Sequence, residues 1–119
     1  MTVERISKDA LHQLVKGSVR REATCVIKFY SNGCHLCHAL KNDYEQISNQ
    51  FEDILFFAFN IDDHEDIDNI LPINGVPSVC LINTGAHKNI VTLEDPESPN
   101  EETWFERQYI ENFIDREKR

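Results

Sequence analysis

The stretch Tyr30-Ser31-Asn32-Gly33-Cys34-His35-Leu36-Cys37-His38-Ala39-Leu40 places two thiols three positions apart. The apolar run from Cys25 to Tyr30 precedes it and is typical of a buried strand. A helical pattern of apolar residues follows it, at Leu36, Leu40, Tyr44, Ile47 and Phe51. We therefore expect Cys34 at or just before the start of a helix and Cys37 one turn inside it, with both sulfurs on one helix face.

This position favours an ionised thiol. The unpaired backbone N–H groups and the positive end of the helix dipole stabilise an anion at Cys34, and the thiolate is the nucleophilic form of cysteine. A Cys-x-x-Cys pair between a strand and a helix indicates a redox dithiol more often than a structural bridge. The stretch from Tyr30 to Leu40 thus predicts thiol chemistry at Cys34 and Cys37.

Length and charge limit the alternatives. A chain of 119 residues suits a single domain, here residues 1–119. The 12 basic and 21 acidic side chains give a net charge of −9, which disfavours nucleic acid and anionic membranes as partners and favours basic protein surfaces. We expect a monomer that needs no cofactor and no metal.

The apolar segments point to a cytoplasmic protein. Residues 1–7 lack the apolar core of a signal peptide, and the longest uninterrupted apolar run, Ile54 to Phe59, is too short to span a bilayer. In a reducing compartment a standing disulfide framework is not expected. Cys25 and Cys80 lie in strand-like runs and are predicted to be small buried hydrophobic residues.

The remaining patterns alternate between helix and strand. Four helices are predicted: one capped by Ser7 and running towards Gly17, the dithiol helix ending near Asn49, a short one from His64 to Leu71, and a last one capped by Asn100. Four strands are predicted: Thr24–Tyr30, Ile54–Phe59, Ser78–Ile82 and Asn89–Leu93. Turns are predicted at Pro72, at Asn74-Gly75 and at Thr84-Gly85.

This order of elements indicates an α/β fold. The last two strands are joined by a short turn and must be antiparallel, so the sheet is mixed. The last helix is expected to bury a stripe of apolar residues at Phe105, Tyr109, Ile110, Phe113 and Ile114.

Taken together, these motifs resemble the thioredoxin family over nearly the whole chain. The resemblance is carried by the dithiol after Phe29-Tyr30, by Asn60-Ile61-Asp62, by Gly75-Val76-Pro77-Ser78 about 40 residues after the dithiol, and by Thr84-Gly85. It implies a thioredoxin-like three-layer sandwich, with a mixed central sheet and flanking helices.

The resemblance also implies a function, the reduction of target-protein disulfides by thiol–disulfide exchange. Cys34 resembles the attacking thiol and Cys37 the resolving one, and together they would form the redox disulfide. Pro77 resembles the family's cis-proline, Val76 would offer backbone N–H and C=O groups to an extended substrate segment, and Gly75 would keep the groove open. The implied partners are disulfide-containing target proteins and a thioredoxin-type reductase.

Five residues depart from the family pattern. Gly33 replaces a tryptophan, His35-Leu36 replaces Gly-Pro, Lys28 replaces a buried aspartate, and Ala58 replaces the lysine that accompanies it. A late glycine after the second hairpin strand also has no evident counterpart. These changes bear on substrate range and redox potential rather than on the fold.

Two of these residues are predicted to modulate the dithiol. A protonated His35 would favour the Cys34 thiolate and make the pair less reducing, or it is an exposed residue without effect. A buried Lys28 would either stabilise the Cys37 thiolate by its charge or lose its proton and act as a base. Alternatively, its aliphatic stem extends to the surface and the charge stays in solvent.

Other interpretations stay open. The acidic segment Glu94 to Asn100 either favours basic targets or is a solvated insertion. The segment Cys34-His35-Leu36-Cys37-His38 could be half of a zinc site or bridge an iron–sulfur cluster between two chains. The domain could also serve as a non-catalytic subunit of a larger enzyme.

Overall fold

The computed structural model describes residues 3–71, 73 and 75–119. Its five strands are β1 (Val3–Arg5), β2 (Thr24–Tyr30), β3 (Ile54–Asn60), β4 (Ser78–Asn83) and β5 (Asn89–Thr92). Its three α-helices are α1 (Lys8–Lys16), α2 (His35–Gln50) and α3 (Arg107–Glu117). Two 3₁₀ turns, Ile61–Asp63 and Glu65–Asn69, follow β3.

The strands form one mixed sheet in the order β1-β3-β2-β4-β5. The strands β1, β3 and β2 run parallel, whereas β4 is antiparallel to both β2 and β5. The helices α2 and α3 cover one face, and α1 with the 3₁₀ turns covers the other. The predicted three-layer α/β architecture with a mixed sheet is confirmed.

The central strand β2 explains why the apolar run is continuous. Alternate side chains point to opposite faces of a sheet, and here both faces are covered. Val26 faces the α2 layer, and Cys25, Ile27 and Phe29 face the α1 layer, all of them at most 2% exposed. Fully burying one such large apolar side chain stabilises the fold by about 1.5–3 kcal/mol.

The first helix has the predicted caps. The Ser7 hydroxyl accepts a hydrogen bond from the backbone N–H of Ala10 at 3.1 Å, and Gly17 ends α1 with a left-handed φ of +79°. Leu11 and Leu14 are buried, while Val15 is half-buried.

The first strand is missing from the sequence-based prediction. Residues 3–5 pair with Phe56, Phe57 and Ala58 at the edge of the sheet. Glu4 and Arg5 are exposed, so this short edge strand has no apolar alternation by which a pattern could identify it.

The short helix predicted from His64 to Leu71 is wrong in type. The chain forms 3₁₀ turns instead, in a segment where Ile67 and Leu71 are buried at 3% and 6% exposure and Ile70 is half-buried. The backbone N–H groups of Ile70 and Leu71 share the carbonyl of Ile67. Two tight turns thus bury the same side chains that a helix would. The predicted turns at Pro72 and at Asn74 lie outside the described residues.

The cap predicted at Asn100 is also wrong. The last helix begins at Arg107, after Glu106. The Asn100 side chain instead accepts hydrogen bonds from the backbone N–H groups of Glu102 and Thr103. An asparagine bonds a tight turn as readily as a helix start.

The helices in the described part of the chain are too short or too polar to span a membrane.

Candidate active site

The two thiols lie at the start of α2, as predicted. Cys34 is the residue before the helix, and its carbonyl accepts the hydrogen bond from the His38 N–H at 3.2 Å. Its sulfur lies 3.1 Å from the backbone nitrogen of Cys37, which donates to it. The first turn of the helix therefore places a hydrogen-bond donor directly at the Cys34 sulfur.

A disulfide bond joins Cys34 and Cys37, whose Cα atoms are 5.3 Å apart. The two residues differ in exposure, because Cys34 is partly exposed and Cys37 is only 1% exposed. A partner protein can thus reach the pair through Cys34, whereas Cys37 is buried.

A cis peptide bond joins Val76 and Pro77, as the family resemblance implies. Ser78, the next residue, pairs with Phe29 across β2 and β4. The chain leaves β2 after Tyr30 and reaches Cys34 four residues later, so the cis-proline and the dithiol lie at the same end of the sheet.

The surroundings of the dithiol are open at two glycines. A Cβ atom added to Gly33 would meet no atom within 4 Å, and the same holds for Gly75. Gly75 has a φ of +135°, a conformation that L side chains rarely adopt. Its backbone conformation, rather than lack of space, therefore favours glycine there. His35 is exposed at the first position of α2.

A polar network that the sequence analysis missed holds the loop before Cys34. The Asn32 N–H donates to the Asp62 carboxylate at 2.7 Å, and the Asn60 amide donates to the Asn32 side chain at 2.8 Å. The His38 ring nitrogen Nε2 lies 2.9 Å from the Asn32 carbonyl oxygen. In the sequence, this network is indicated by the polar residues Asn60 and Asp62 at the end of a strand, which also belong to the family resemblance.

Lys28 is buried under the dithiol helix, on the α2 side of the sheet. The residue is 4% exposed, and its Nζ lies 5.2 Å from the centre of the Tyr44 ring and 5.7 Å from that of Tyr30. Burial and, to a smaller extent, the nearby charge of Lys41 lower the pKa of Lys28 to about 8, against the opposing charge of Glu45. The stem does not carry this charge to the protein surface.

Lys28 and Cys37 line the same cavity, which has a volume of about 410 Å³. The cavity lies between α2 and the edge of the sheet formed by β1 and β3, and Ala58 leaves part of its floor without a long side chain. The fold therefore places Lys28 and Cys37 in the lining of one cavity.

The other two cysteines lie elsewhere and are free thiols. Cys25 and Cys80 are buried on the α1 face, at diagonal positions of the paired strands β2 and β4. Burial raises the pKa of Cys25 to about 11. Burial and, to a smaller extent, the charge of the Cys25 thiolate raise the pKa of Cys80 to about 12. Their predicted role as small buried hydrophobic residues is confirmed.

The acidic segment lies at the dithiol end of the sheet. The Leu93 N–H donates to the Val79 carbonyl at 2.8 Å, so the chain after β5 continues past the start of β4. The Trp104 indole donates to Asp95, and Asn100 and Trp104 exchange two backbone hydrogen bonds that close the segment. A preference for basic targets stays a prediction, and binding of a basic target peptide should weaken with salt if it holds.

Metal coordination has little geometric support in the described part of the chain. Within residues 3–71, 73 and 75–119, no group of three or more His, Cys, Asp or Glu side chains is arranged to hold a metal ion. Cys34 and Cys37 are bonded to each other.

Comparison with known proteins agrees with this architecture. The family model described as thioredoxin matches residues 2–102, and the chain therefore belongs to the thioredoxin family. It is 25% identical to a thioredoxin of Mycoplasma genitalium over 63 residues, which is 53% of this chain and 62% of that protein. It is 27% identical to a thioredoxin of Borreliella burgdorferi over 66 residues, or 55% of this chain and 56% of that protein. The chain thus spans about three fifths of the length of these relatives.

Solved structures show the same fold. Chloroplastic thioredoxin z superposes with a TM-score of 0.72 at 21% identity, covering 98% of this chain and 94% of that one. The thioredoxin of Malassezia sympodialis gives a TM-score of 0.60 at 22% identity, over 76% of this chain and 80% of that one.

Proposed function

We propose that the protein is a thiol–disulfide oxidoreductase that reduces disulfide bonds in target proteins through Cys34 and Cys37. The observation that carries this proposal is the asymmetry of the pair. A partly exposed sulfur at the start of a helix is bonded to a buried one, at the end of the sheet that holds a cis-proline. Family membership supports the same chemistry.

In the first step, the Cys34 thiolate of the reduced protein attacks one sulfur of the target disulfide. A bond forms between Cys34 and that sulfur, and the target disulfide breaks. The second target sulfur leaves with the bonding electron pair and takes up a proton from solvent. The donor N–H of Cys37 and the helix start stabilise the attacking thiolate.

In the second step, Cys37 attacks Cys34. The Cys34–Cys37 bond forms, the mixed disulfide breaks, and the target sulfur leaves with its electron pair as a thiolate. The target has gained two electrons, and the protein is left oxidised. A thioredoxin-type reductase would return these electrons.

The substrate segment would bind along the cis-proline edge. Val76 would offer its backbone N–H and C=O groups to an extended segment, Pro77 would hold the edge beside the dithiol, and the open space at Gly33 and Gly75 would leave room for the target. His35 would raise the redox potential by favouring the Cys34 thiolate. A His35→Ala variant with the same potential would reject that role.

An insulin disulfide reduction assay with dithiothreitol as electron donor tests the proposal. We expect turnover in the wild type and none above background in a Cys34→Ser variant. A Cys37→Ser variant should accumulate a covalent complex with the target, because the mixed disulfide cannot be resolved. The matched control is Cys25→Ser, which removes a thiol away from the site and should keep its turnover.

Turnover in Cys34→Ser equal to the wild type would overturn the proposal. Survival of the biological function in that variant would favour the alternative of a non-catalytic binding subunit. Metal bound to the purified protein in stoichiometric amount would favour the alternative of a metal or iron–sulfur site.

The proposal also covers the location, the oligomeric state and the partners of the protein. We place the protein in the cytoplasm, as a single-domain monomer without a cofactor, acting on proteins rather than on nucleic acid or membranes. The net charge of −9 supports the choice of partner.

A further inference from the structure

The cavity that Cys37 lines also holds the buried ammonium of Lys28. Within the described residues, no acceptor lies at hydrogen-bond distance from Lys28 Nζ and no carboxylate pairs with it. The Nζ atom of Lys28 lies over the ring faces of Tyr44 and Tyr30. Aromatic faces attract a cation but do not replace the hydrogen bonds that an ammonium makes in water.

The charged groups around this cavity come from two elements. Lys41, Glu45 and His38 face it from α2, and Glu4 and Arg5 face it from β1. All five residues are exposed, so solvent weakens the effect of their charges on the buried ammonium, although Lys41 still lowers its pKa and Glu45 raises it. Two buried groups in the cavity lining can lose a proton, the Tyr44 phenol and, once its bond to Cys34 is broken, the Cys37 thiol. Burial raises the pKa of Tyr44 well above its ordinary value, and its hydroxyl donates to the carbonyls of Val26 and Phe57, which leaves Cys37 as the group that forms an anion.

We infer that Lys28 is a positioning residue for the second exchange step, because its ammonium holds Cys37 as the thiolate that attacks Cys34. This inference rests on the proposed function. After Cys34 has formed the mixed disulfide, the Cys37 thiol loses its proton to water at the open side of the cavity. The thiolate electron pair then forms the Cys34–Cys37 bond, and the target sulfur leaves with the pair of the broken bond. Lys28 exchanges no electrons.

The coupling between the two groups is reciprocal. If the ammonium favours the thiolate, the thiolate favours the ammonium to the same extent. The pKa of Lys28, which is about 8 in the disulfide form, should therefore rise when the disulfide is reduced. In the disulfide form Cys37 carries no charge, and the groups that favour the Lys28 ammonium include the two aromatic rings and the exposed Glu45.

The reaction of the reduced protein with Ellman's reagent separates the two steps. The attack by Cys34 releases a first equivalent of the coloured thiolate, and the attack by Cys37 releases a second. In Lys28→Met, we expect the first phase to keep its rate and the second to slow by about tenfold at pH 7, equal to a loss of one pKa unit of thiolate stabilisation. The pH midpoint of the second phase should move upward by about one unit.

Two further variants control for charge and packing. Lys16→Met removes the same charge from the exposed last turn of α1 and should leave both phases unchanged. Lys28→Arg keeps a cation in the cavity and should keep most of the second-phase rate, which a role in packing alone would not explain. A second phase of equal rate and pH midpoint in Lys28→Met and the wild type would overturn the inference.

A measurement on the wild type covers the case in which Lys28→Met does not fold. The pKa of Lys28, followed by NMR at its ε-carbon, should be higher in the reduced protein than in the oxidised one. An equal or lower value in the reduced protein would also overturn the inference. By contrast, loss of the first phase in the wild type would contradict the proposed function itself.

Discussion

Cys34 and Cys37 differ from Cys25 and Cys80 in nearly everything except residue type. The first pair lies at the start of a helix, bonded through one partly exposed sulfur and one buried sulfur. The second pair lies within adjacent strands, free and at most 2% exposed. Diagonal positions on paired strands are about 7–8 Å apart, which is too far for a disulfide without backbone movement.

The difference shows how backbone geometry determines thiol chemistry. At the start of α2, spare N–H groups face the sulfur and favour its anion. Inside the sheet, the backbone groups are paired with each other and apolar neighbours exclude water, so that burial raises the pKa of Cys25 to about 11. The same side chain is a candidate nucleophile in one place and a core residue in the other.

The largest expected contrast is in alkylation. With a pKa of about 11, roughly one Cys25 thiol in ten thousand is ionised at pH 7. In the reduced native protein, we expect iodoacetamide to modify Cys34 at least about a thousandfold faster than Cys25 or Cys80. Peptide mapping by mass spectrometry measures the rates.

Denaturant supplies the control, since all four cysteines should then react at similar rates. Comparable alkylation rates of Cys34 and Cys25 in the native protein would contradict the proposed difference between the two cysteine pairs. Because Cys25 lines a cavity of about 690 Å³ on the α1 side, such a result would mean that this cavity admits the reagent.

A smaller contrast is expected in stability against pH for the oxidised protein. Between pH 9, the ordinary pKa of a cysteine, and about pH 11, the unfolded chain loses the Cys25 proton that the folded protein keeps. The free energy of unfolding should therefore fall as the pH rises, by about 2 kcal/mol for this thiol. Urea titrations of the wild type and Cys25→Ala across this range measure the difference.

Lys28 acts in the opposite direction. Its pKa falls from 10.5 to about 8 on folding, so its contribution to stability rises between these pH values. Lys28 is present in both proteins and cancels in their difference. A difference between the wild type and Cys25→Ala that does not change from pH 9 to 11 would contradict the raised pKa of Cys25.

The smallest expected effect concerns the loop that positions Cys34. In Asp62→Ala, the Asn32 N–H loses its acceptor, and we expect a loss of about 0.5–1.5 kcal/mol in the free energy of unfolding. The alkylation rate of Cys34 should change with it, while Cys25 and Cys80 should stay unreactive. Asp63→Ala removes a neighbouring exposed carboxylate as control. Equal stability and Cys34 reactivity in the two variants would show that the network has no role in placing the thiol.

Local patterns in the sequence predicted much of the fold. The apolar runs of β2 and β3, the caps of α1, the turn at Thr84-Gly85 and the dithiol at the start of α2 all depend on residues near one another in the chain. Short-range hydrogen bonds and side-chain periodicity suffice to specify such features. The same short range explains the error at Asn100, whose side chain bonds a tight turn instead of a helix start.

The sequence by itself determined the spacing of the two cysteines that form the disulfide and the strand and helix that hold them. Only the tertiary structure decided that β1 pairs with β3, that the Asn32 loop bonds to Asp62 and that the Lys28 ammonium shares a cavity with Cys37. The physical reason is that these contacts join segments about 9 to 50 residues apart. Their stability comes from burial and pairing across the sheet, which no local pattern records.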